Sequence, residues 1–226
     1  MSAARTELLT RLADLIEAVR RPHPVRVAID GVDAAGKTTL ANEVADVLRA
    51  RRRHVIRGSI DGFHRPRALR RQRGELSPYG YYADSFDTSA VRTFLLDPLG
   101  PDGDLRYRSA VYDYRADRPV ETPPVLAVPD SVLVFDGVFL LRPELRAAWD
   151  LRLFVSVGFA EILRRATRRD ADLFGDVAQV KRRYHARYLP GQRLYLAAER
   201  PAYEADGVVY NDDPARPCMR MRTTSR

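Results

Sequence analysis

Cysteine is almost absent from the sequence: Cys218 is the single one among 226 residues. An internal disulfide is therefore impossible, and an oxidising compartment is not indicated. Long apolar runs are missing as well, since no stretch approaches the roughly 20 residues that a helix needs to cross a bilayer. Arg11, Asp14 and Glu17 interrupt the first 24 residues, which argues against a secretion signal. We therefore expect a cytoplasmic protein that neither spans nor binds a membrane.

Lysine is scarce too, because Lys37 and Lys181 are the only lysines among 38 basic residues. The formal net charge is +8, and a basic surface attracts nucleic acid, membranes or phosphorylated small molecules. Since arginine replaces lysine almost everywhere, we interpret the arginine runs first as solvated surface. The basic residues alternate with acids and lack the interleaved aromatic residues that stack on bases. This pattern argues against a stable nucleic-acid partner.

Apolar strands alternate with helical segments along the chain. The predicted strands cover residues 25–29, 54–60, 131–135, 151–157 and 207–210, and the predicted helices cover 37–50, 88–96, 159–171, 176–188 and 190–198. Such alternation indicates a parallel sheet that is covered on both faces. The expected fold is an α/β three-layer sandwich in a single domain over residues 1–226.

Four further parts complete the predicted domain. They are an N-terminal helix within residues 1–24, a substrate-facing insertion over 62–128, a mobile helical lid within 159–190 and a frayed tail over 216–226. The start of the insertion is rich in Arg, Gly, Pro and Tyr, which is typical of a functional loop, and its later part suggests a strand pair.

The segment from Gly31 to Thr38, Gly-Val-Asp-Ala-Ala-Gly-Lys-Thr, matches the phosphate-binding pattern G-x-x-x-x-G-K-[ST]. It follows an apolar strand and precedes a helix, as the motif requires, and an incidental glycine-rich turn is the alternative. Its glycines let successive N–H groups turn toward phosphate oxygens, and the helix adds its positive dipole end. We expect Lys37 to contact the phosphates of ATP and Thr38 to bind Mg²⁺.

The motif also narrows the class of nucleotide-binding protein. The expected nucleotide contacts are Gly31, Asp33, Ala34, Ala35, Gly36, Lys37 and Thr38 of the motif, and Thr39 directly after it. A GTPase needs a base-reading segment resembling N-K-x-D, and this sequence has none. Motors and helicases usually need a longer chain. The length fits a kinase of a small molecule or nucleotide best.

Two aspartates end predicted strands on the side of the sheet where ligands collect. Asp61 is the candidate for the base that accepts the proton of a substrate hydroxyl. Asp136 ends the most apolar strand and is the candidate to hold Mg²⁺, directly or through water. For each of them a turn-forming Asp-Gly pair is the alternative.

The sequence resembles the uridine kinase family of P-loop kinases, whose relatives include phosphoribulokinase and bacterial pantothenate kinase. The resemblance runs from about Val25 to Pro214 and is carried by five segments. They are Ala28 to Leu40, Asp61-Gly62-Phe63-His64, Tyr82 to Asp87, Val111-Tyr112-Asp113-Tyr114, and Val134 to Leu141. It implies a parallel P-loop sheet and ATP- or GTP-dependent phosphorylation of a nucleoside 5′-hydroxyl, with Asp61 as the base.

The resemblance also assigns expected roles to individual residues. Lys37 and Arg169 join Asp61 in catalysis, and Asn211 follows the last strand, where relatives place a loop beside the adenine. The substrate contacts are expected to be Asp61, Phe63, His64, Tyr81, Tyr112, Asp117 and Arg165. Three of these positions have structural alternatives: Tyr112 as a core aromatic residue, Arg169 as a partner of Asp170, and Asn211 as a turn residue.

Three departures from the family pattern affect the acceptor pocket. Tyr81 replaces the aspartate that binds the sugar hydroxyls, and Asp117 replaces the base-reading histidine. The sequence Leu173-Phe174-Gly175-Asp176 stands where the family lid has Glu-Arg-Gly-Arg. The phosphoryl-transfer residues are all present, so the departures concern the identity of the acceptor.

We expect phosphorylation of a small-molecule hydroxyl, with the 5′-hydroxyl of uridine or cytidine as the favoured acceptor. The alternative is a kinase of the same fold that acts on pantothenate, a sugar or a sugar phosphate, because Arg65, Arg67 and Arg70 beside Asp61 would suit an anion. A nucleic-acid-binding ATPase and a module that binds ATP without turnover are further alternatives. The resemblance mildly favours a homo-oligomer.

Overall fold

A six-stranded sheet forms the centre of the computed structural model, which describes residues 1–171 and 175–222. In chain order the strands are β1 (Val25–Gly31), β2 (Val55–Ser59), β3 (Arg106–Tyr107), β4 (Tyr112–Asp113), β5 (Arg118–Pro119), β6 (Val125–Leu126), β7 (Val132–Gly137), β8 (Leu151–Ser156), β9 (Gly207–Tyr210) and β10 (Cys218–Met221). The strand order in the large sheet is β10-β9-β8-β1-β7-β2. Five of these strands are parallel, and β10 runs antiparallel to β9.

Helices cover both faces of this sheet. They are α1 (Ala3–Ala18), α2 (Lys37–Ala50), α3 (Arg67–Arg70), α4 (Pro78–Asp84), α5 (Thr88–Val91), α6 (Pro143–Arg146), α7 (Phe159–Arg169), α8 (Val177–Arg183), α9 (Leu189–Glu199) and α10 (Pro201–Glu204). One apolar cluster joins the sheet to α1, α2 and α7, and a second joins it to α4, α5, α6 and α9. The predicted α/β architecture is confirmed.

Strand β1 lies at the middle of the sheet, and all seven of its residues are buried. It pairs with β7 on one side and with β8 on the other. Ile29 of β1 and Ser59 of β2 both lie level with Asp136 of β7. Because the three strands are parallel, the segments that follow them emerge at the same edge of the sheet. This register brings the phosphate loop, Asp61 and Asp136 together.

The insertion contains more short elements than the sequence predicted. Two separate two-stranded ribbons form, one from β3 and β6 and the other from β4 and β5, where we expected one strand pair. The predicted helix over 88–96 begins as α5 and continues as a π-helical turn at Arg92–Leu96. In the lid region a second π-helical turn, Tyr184–Tyr188, joins α8 to α9. Leu173 and Phe174, which belong to the lid segment that differs from the family pattern, lie outside the described residues.

The N-terminal helix is confirmed as α1, where Leu8, Leu12 and Ile16 form part of the core. Ser2 caps it by accepting a hydrogen bond from the backbone N–H of Arg5 at 3.2 Å. Within the two described ranges, no helix combines the length and the apolar character needed to cross a membrane.

The prediction of a frayed tail from residue 216 is wrong for residues 218–221. These residues form β10, which pairs with β9 along its whole length. Met219 is 8% exposed and belongs to the core. Along this strand Met219 is buried and both of its neighbours are exposed. Charged and polar residues around the strand made this alternation of buried and exposed positions hard to recognise in the sequence.

Removal of residues 217–226 is expected to destabilise the fold. The truncation exposes the edge of β9 and deletes the buried Met219 side chain, so the free energy of unfolding should fall by about 2 kcal/mol or more. Urea unfolding measures the change, and a chain that ends after Arg222 is the control. Equal stability of the two truncated chains would show that β10 contributes little.

Candidate active site

The phosphate loop begins where β1 ends, and its two glycines are required by geometry. Gly31 has φ +155°, and a Cβ placed there would lie 2.5 Å from the carbonyl oxygen of Val155 on β8. Gly36 has φ +89°, in the left-handed region that favours glycine. Helix α2 starts directly after it with Lys37. The loop therefore fits tightly between the sheet and the helix, as phosphate binding requires.

Lys37 lies inside the loop and is almost completely buried. Its Nζ donates a hydrogen bond to the carbonyl oxygen of Val32 at 2.7 Å. Burial lowers the pKa of Lys37, and the negative charges of Asp33 and Asp30 oppose that shift. The ammonium thus lies inside the loop and near carboxylates, where it would stabilise an anionic phosphate.

Asp30, one residue before the loop, was not singled out from the sequence. It is fully buried. Its carboxylate accepts hydrogen bonds from the hydroxyl of Tyr195 and from the backbone N–H of Leu140, the latter at 3.3 Å. Burial raises the pKa of Asp30 to about 6, although these hydrogen bonds act in the opposite direction. Asp30 therefore joins β1 to α9 and to the segment after β7.

Asp33 is the one acidic residue within the phosphate loop. Both of its carboxylate oxygens accept hydrogen bonds from the hydroxyl of Tyr81, at 2.9 and 2.8 Å, and Gln192 donates a further one at 2.9 Å. Burial and then the charge of Asp33 raise the pKa of Tyr81 well above its ordinary value. Tyr81 lines the cleft that contains Asp61, but its hydroxyl is hydrogen-bonded to Asp33 of the loop.

The loop separates two clefts. One has a volume of about 550 Å³ and is lined on its far side by Arg5, Asn211 and Pro214. The other has a volume of about 490 Å³ and contains Asp61 and His64. Both clefts are lined by Ala34, Lys37, Thr38 and Arg169. After the substrates that the sequence predicts for them, we call the first the nucleotide-side cleft and the second the acceptor-side cleft.

Asn211 supports the loop from the nucleotide side. Its Nδ2 donates to the carbonyl oxygen of Ala35 at 2.8 Å, and its Oδ1 accepts from Arg5 of α1 at 3.2 Å. Asn211 is 2% exposed, so its amide is committed to protein partners. The contribution of Arg5 could not be seen in the sequence, because 206 residues separate it from Asn211.

Arg165 lies on the nucleotide side and does not line the acceptor-side cleft, where the resemblance placed it. Its guanidinium donates to the carbonyl oxygens of Asn211 at 2.6 Å and Asp212 at 2.9 Å. It also pairs with Glu161 on α7 at 2.7 Å. Arg165 thus fixes the segment after β9 against α7.

Asp61 projects into the acceptor-side cleft from the 3₁₀ turn Ile60–Phe63 that follows β2, and its side chain is 62% exposed. The His64 Nε2 lies 3.6 Å from its carboxylate. Partial enclosure raises the pKa of Asp61, but the His64 ring and the charges of Lys37 and Arg169 outweigh it and lower the pKa below its ordinary value. Asp61 is therefore ionised at neutral pH and able to accept a proton.

His64 is fixed by the walls of the same cleft. Its Nδ1 lies 3.2 Å from the carbonyl oxygen of Ser85, which requires a hydrogen on that nitrogen. Its ring centroid lies 4.5 Å from that of Phe86 and 4.7 Å from that of Tyr114. His64, Phe86 and Tyr114 therefore form an aromatic wall beside Asp61.

Asp136 and Thr38 supply the oxygen atoms that suit a magnesium ion. Thr38 Oγ1 donates to Asp136 Oδ2 at 2.5 Å, and Arg57 pairs with Asp136 Oδ1 at 2.7 Å. Among residues 1–171 and 175–222, no group of three or more His, Cys, Asp or Glu side chains is placed to hold a metal. A small protein ligand set fits Mg²⁺ that is carried by phosphates and keeps several waters. Arg57 was not recognised from the sequence.

Arg169 at the end of α7 lines both clefts, with its side chain 59% exposed. It forms a two-point ion pair with Asp170, at 2.6 and 3.0 Å, and Asp170 also accepts from the hydroxyl of Tyr184 at 2.9 Å. The hydrogen bond to Asp170 raises the pKa of Arg169. The structural alternative, a pairing of Arg169 with Asp170, is observed, and the role of Arg169 beside the phosphates stays a prediction.

Besides Arg165, three predicted substrate contacts do not line the acceptor-side cleft. Phe63 is fully buried, and its ring packs against that of Phe135 at 6.0 Å, so it is a core residue. Tyr112 is 8% exposed and donates to Asp117 at 3.0 Å. Neither Tyr112 nor Asp117 lines the acceptor-side cleft. Asp117 instead accepts hydrogen bonds from the backbone N–H of Arg67 and the side chain of Arg70.

The stability of the fold is expected to depend on the charge of Asp30. Its folded-state pKa, about 6, exceeds the 3.8 of an ordinary aspartate. Its contribution is therefore fully present below pH 3.8 and lost as the pH rises through about 6. Relative to Asp30→Asn, the free energy of unfolding of the wild type should fall by up to about 3 kcal/mol between pH 4 and pH 7. Urea unfolding across this range measures it, and a pH-independent difference would contradict it.

The comparisons with known proteins agree with this geometry. No family model matches the chain. Uridine-cytidine kinase B of Dictyostelium discoideum is 29% identical over 150 residues, which span 66% of this chain. The aligned part spans 59% of that relative's own length.

Solved structures show the same fold. A possible uridine kinase from Bacillus stearothermophilus has a TM-score of 0.71 at 23% identity, covering 90% of this chain and 97% of its own. A proposed fructose transport system kinase from Silicibacter has a TM-score of 0.71 at 24% identity, covering 86% and 95%. With its phosphate loop, Asp61 and Asp136 at one edge of the parallel sheet, the chain has the fold of these two structures and is similar in sequence to a uridine-cytidine kinase.

Proposed function

We propose that the protein transfers the γ-phosphate of ATP to a hydroxyl group of a small molecule. The observation that carries this proposal is the pair of clefts that meet at Lys37, Thr38 and Arg169. Asp61 lies in one of them and the supports of the phosphate loop lie in the other. This arrangement suits two substrates that meet at the transferred phosphate.

The residues around the transferred phosphate have complementary roles in this proposal. Lys37 and Arg169 stabilise its negative charge, and the ionised Asp61 orients the acceptor hydroxyl and takes its proton. Thr38 and Asp136 would hold Mg²⁺, which neutralises phosphate charge when bound. The aromatic wall of His64, Phe86 and Tyr114 would exclude water from one side of the acceptor.

The acceptor that the family resemblance favours is a pyrimidine nucleoside, phosphorylated at its 5′-hydroxyl. The name of the Dictyostelium relative supports this choice. The aromatic wall beside Asp61 offers a surface against which a ribose or a base can pack. In this proposal the residues that contact the nucleobase differ from those expected from the resemblance, because Tyr112 does not line the cleft.

A second acceptor class, an anionic sugar derivative or a related metabolite, is supported by a separate observation. Arg70 and Arg115 line the acceptor-side cleft, whereas Arg65 and Arg67 do not. Arg70 is held by the carbonyl oxygen of Arg65 at 2.7 Å and by Asp117 at 3.3 Å. Two guanidinium groups opposite the phosphate loop would suit a carboxylate or phosphate on the acceptor.

Replacement of Asp61 by Asn is expected to lower kcat by about 10²- to 10⁴-fold, because the variant cannot accept the hydroxyl proton. ATP binding should change little, since Asp61 lies on the acceptor side. Coupled ADP release measures turnover, and titration with a fluorescent ATP analogue measures binding. Asp97→Asn, which removes an exposed carboxylate paired with Arg92, is the matched control.

Full turnover by the Asp61→Asn variant would remove Asp61 from the role of base. Loss of ATP binding in that variant would instead indicate a structural role. Turnover of ATP without any acceptor, unchanged in Asp61→Asn, would favour a simple ATPase over a kinase.

An acceptor panel is expected to separate the two acceptor classes. Uridine and cytidine represent the first class, and glycerate, pantothenate and sugar phosphates represent the second. Arg115→Gln should raise KM for an anionic acceptor about tenfold or more, because an ion pair at the acceptor is lost, and should leave KM for ATP unchanged. The same variant should barely affect a nucleoside. Arg118→Gln, on β5 directly after the turn that carries Arg115 but outside the cleft, is the control.

A further inference from the structure

Arg57 reaches from β2, at the edge of the sheet, to the carboxylate of Asp136 on β7. Its Nη2 lies 2.7 Å from Asp136 Oδ1, while Thr38 donates to Oδ2 at 2.5 Å. The side chain of Asp136 is 2% exposed, and that of Arg57 is 19% exposed. Both oxygens of this carboxylate therefore accept hydrogen bonds from the protein, and its charge has a partner.

The guanidinium of Arg57 is held by three further acceptors. Its Nη1 donates to the carbonyl oxygens of Gly58, at 3.0 Å, and Val134. Its Nε and Nη2 both lie 3.1 Å from Oδ1 of Asn42. Asn42 belongs to α2, the helix that begins at the phosphate loop. Arg57 thus connects β2, β7 and α2, and a lysine could not reproduce this planar set of donors.

This contact has an electrostatic consequence for cations. A buried carboxylate without a partner attracts a divalent ion strongly, whereas a carboxylate paired with a fixed guanidinium offers little net charge. A cation near Asp136 would also be repelled by Arg57. The phosphates of a bound nucleotide would supply the missing negative charge.

We infer that Arg57 is a positioning residue that compensates the charge of Asp136, so that a divalent cation binds there with the nucleotide and not alone. This inference rests on the proposed function, since it assigns Asp136 to the cation of that reaction. The role is distinct from a purely structural one. A structural arginine would change stability without changing the affinity for free cations.

The test measures binding of Mn²⁺ to the nucleotide-free protein by electron paramagnetic resonance. Wild-type protein should bind it weakly, and Arg57→Gln should bind it at least about tenfold more tightly, because a positive charge beside the ligand carboxylate is removed. Arg57→Lys should stay near the wild type, since it keeps a charge. The double variant Arg57→Gln/Asp136→Asn should lose the gain. Arg152→Gln, which breaks an ion pair with Asp206 elsewhere, is the control.

Equal Mn²⁺ affinities for wild-type protein and Arg57→Gln would overturn the inference, and so would tight binding by the wild type. If Arg57→Gln does not fold, Asp136→Asn takes its place, because a carboxylate whose charge is already compensated should contribute little to the binding of free Mn²⁺. Equally weak Mn²⁺ binding by Asp136→Asn and wild-type protein would support the inference, and a marked loss of affinity in the variant would overturn it. The measurement needs no acceptor, so a failed acceptor panel would count against the proposed function alone.

Discussion

The site depends on one close contact, where the end of β1 passes the carbonyl oxygen of Val155 on β8. A side chain at Gly31 would collide with that oxygen at 2.5 Å, so the chain can turn there only as glycine. The turn directs the phosphate loop over the sheet edge and sets the start of α2. Lys37 and Thr38 occupy the first turn of that helix, and their positions follow from it. The parallel register then brings Asp61 and Asp136 to the same edge.

Around this edge three carboxylates accept hydrogen bonds from side chains that are fixed by the fold. The carboxylates of Asp33, Asp136 and Asp170 accept hydrogen bonds from Tyr81, Arg57 and Arg169 respectively. Each hydrogen bond orients a carboxylate, and the guanidinium groups of Arg57 and Arg169 also compensate the charge of their partners. Asp61 differs, because its side chain is largely exposed and its nearest partner is a histidine at 3.6 Å. This accessibility suits the proposed role of Asp61, which is to exchange a proton with a substrate.

The sequence predicted the parts of the molecule that obey local rules. The buried strands, the phosphate loop and the strand-end aspartates follow from periodicity and from the spacing of glycines. The pairs Arg57–Asp136, Arg5–Asn211 and Tyr195–Asp30 were not predicted, because each joins residues that are distant in the chain. Arginine is so common in this sequence that the arginines of the site cannot be distinguished from the others by residue type. Phe63 shows the opposite error, since a residue within a motif can serve the core.

The acceptor side of the site is built differently from the phosphate side. This difference explains why the family resemblance predicted the residues of the phosphate side better than those of the acceptor side. The phosphate side rests on the long central strands, where a changed residue disturbs the buried core. The acceptor side rests on the insertion, whose strands are two residues long and whose geometry is held by side chains such as Asp117 with Arg70. The side chain of Asp117 is 31% exposed, so water can replace a hydrogen bond that is lost there at a smaller cost than in the buried core. Tyr81 illustrates the result: it occupies the position of a sugar-binding aspartate in the family pattern, yet its hydroxyl holds Asp33 of the phosphate loop. Residues of the insertion, apart from supports such as Tyr81, can therefore be exchanged while the central strands and the phosphate loop stay intact.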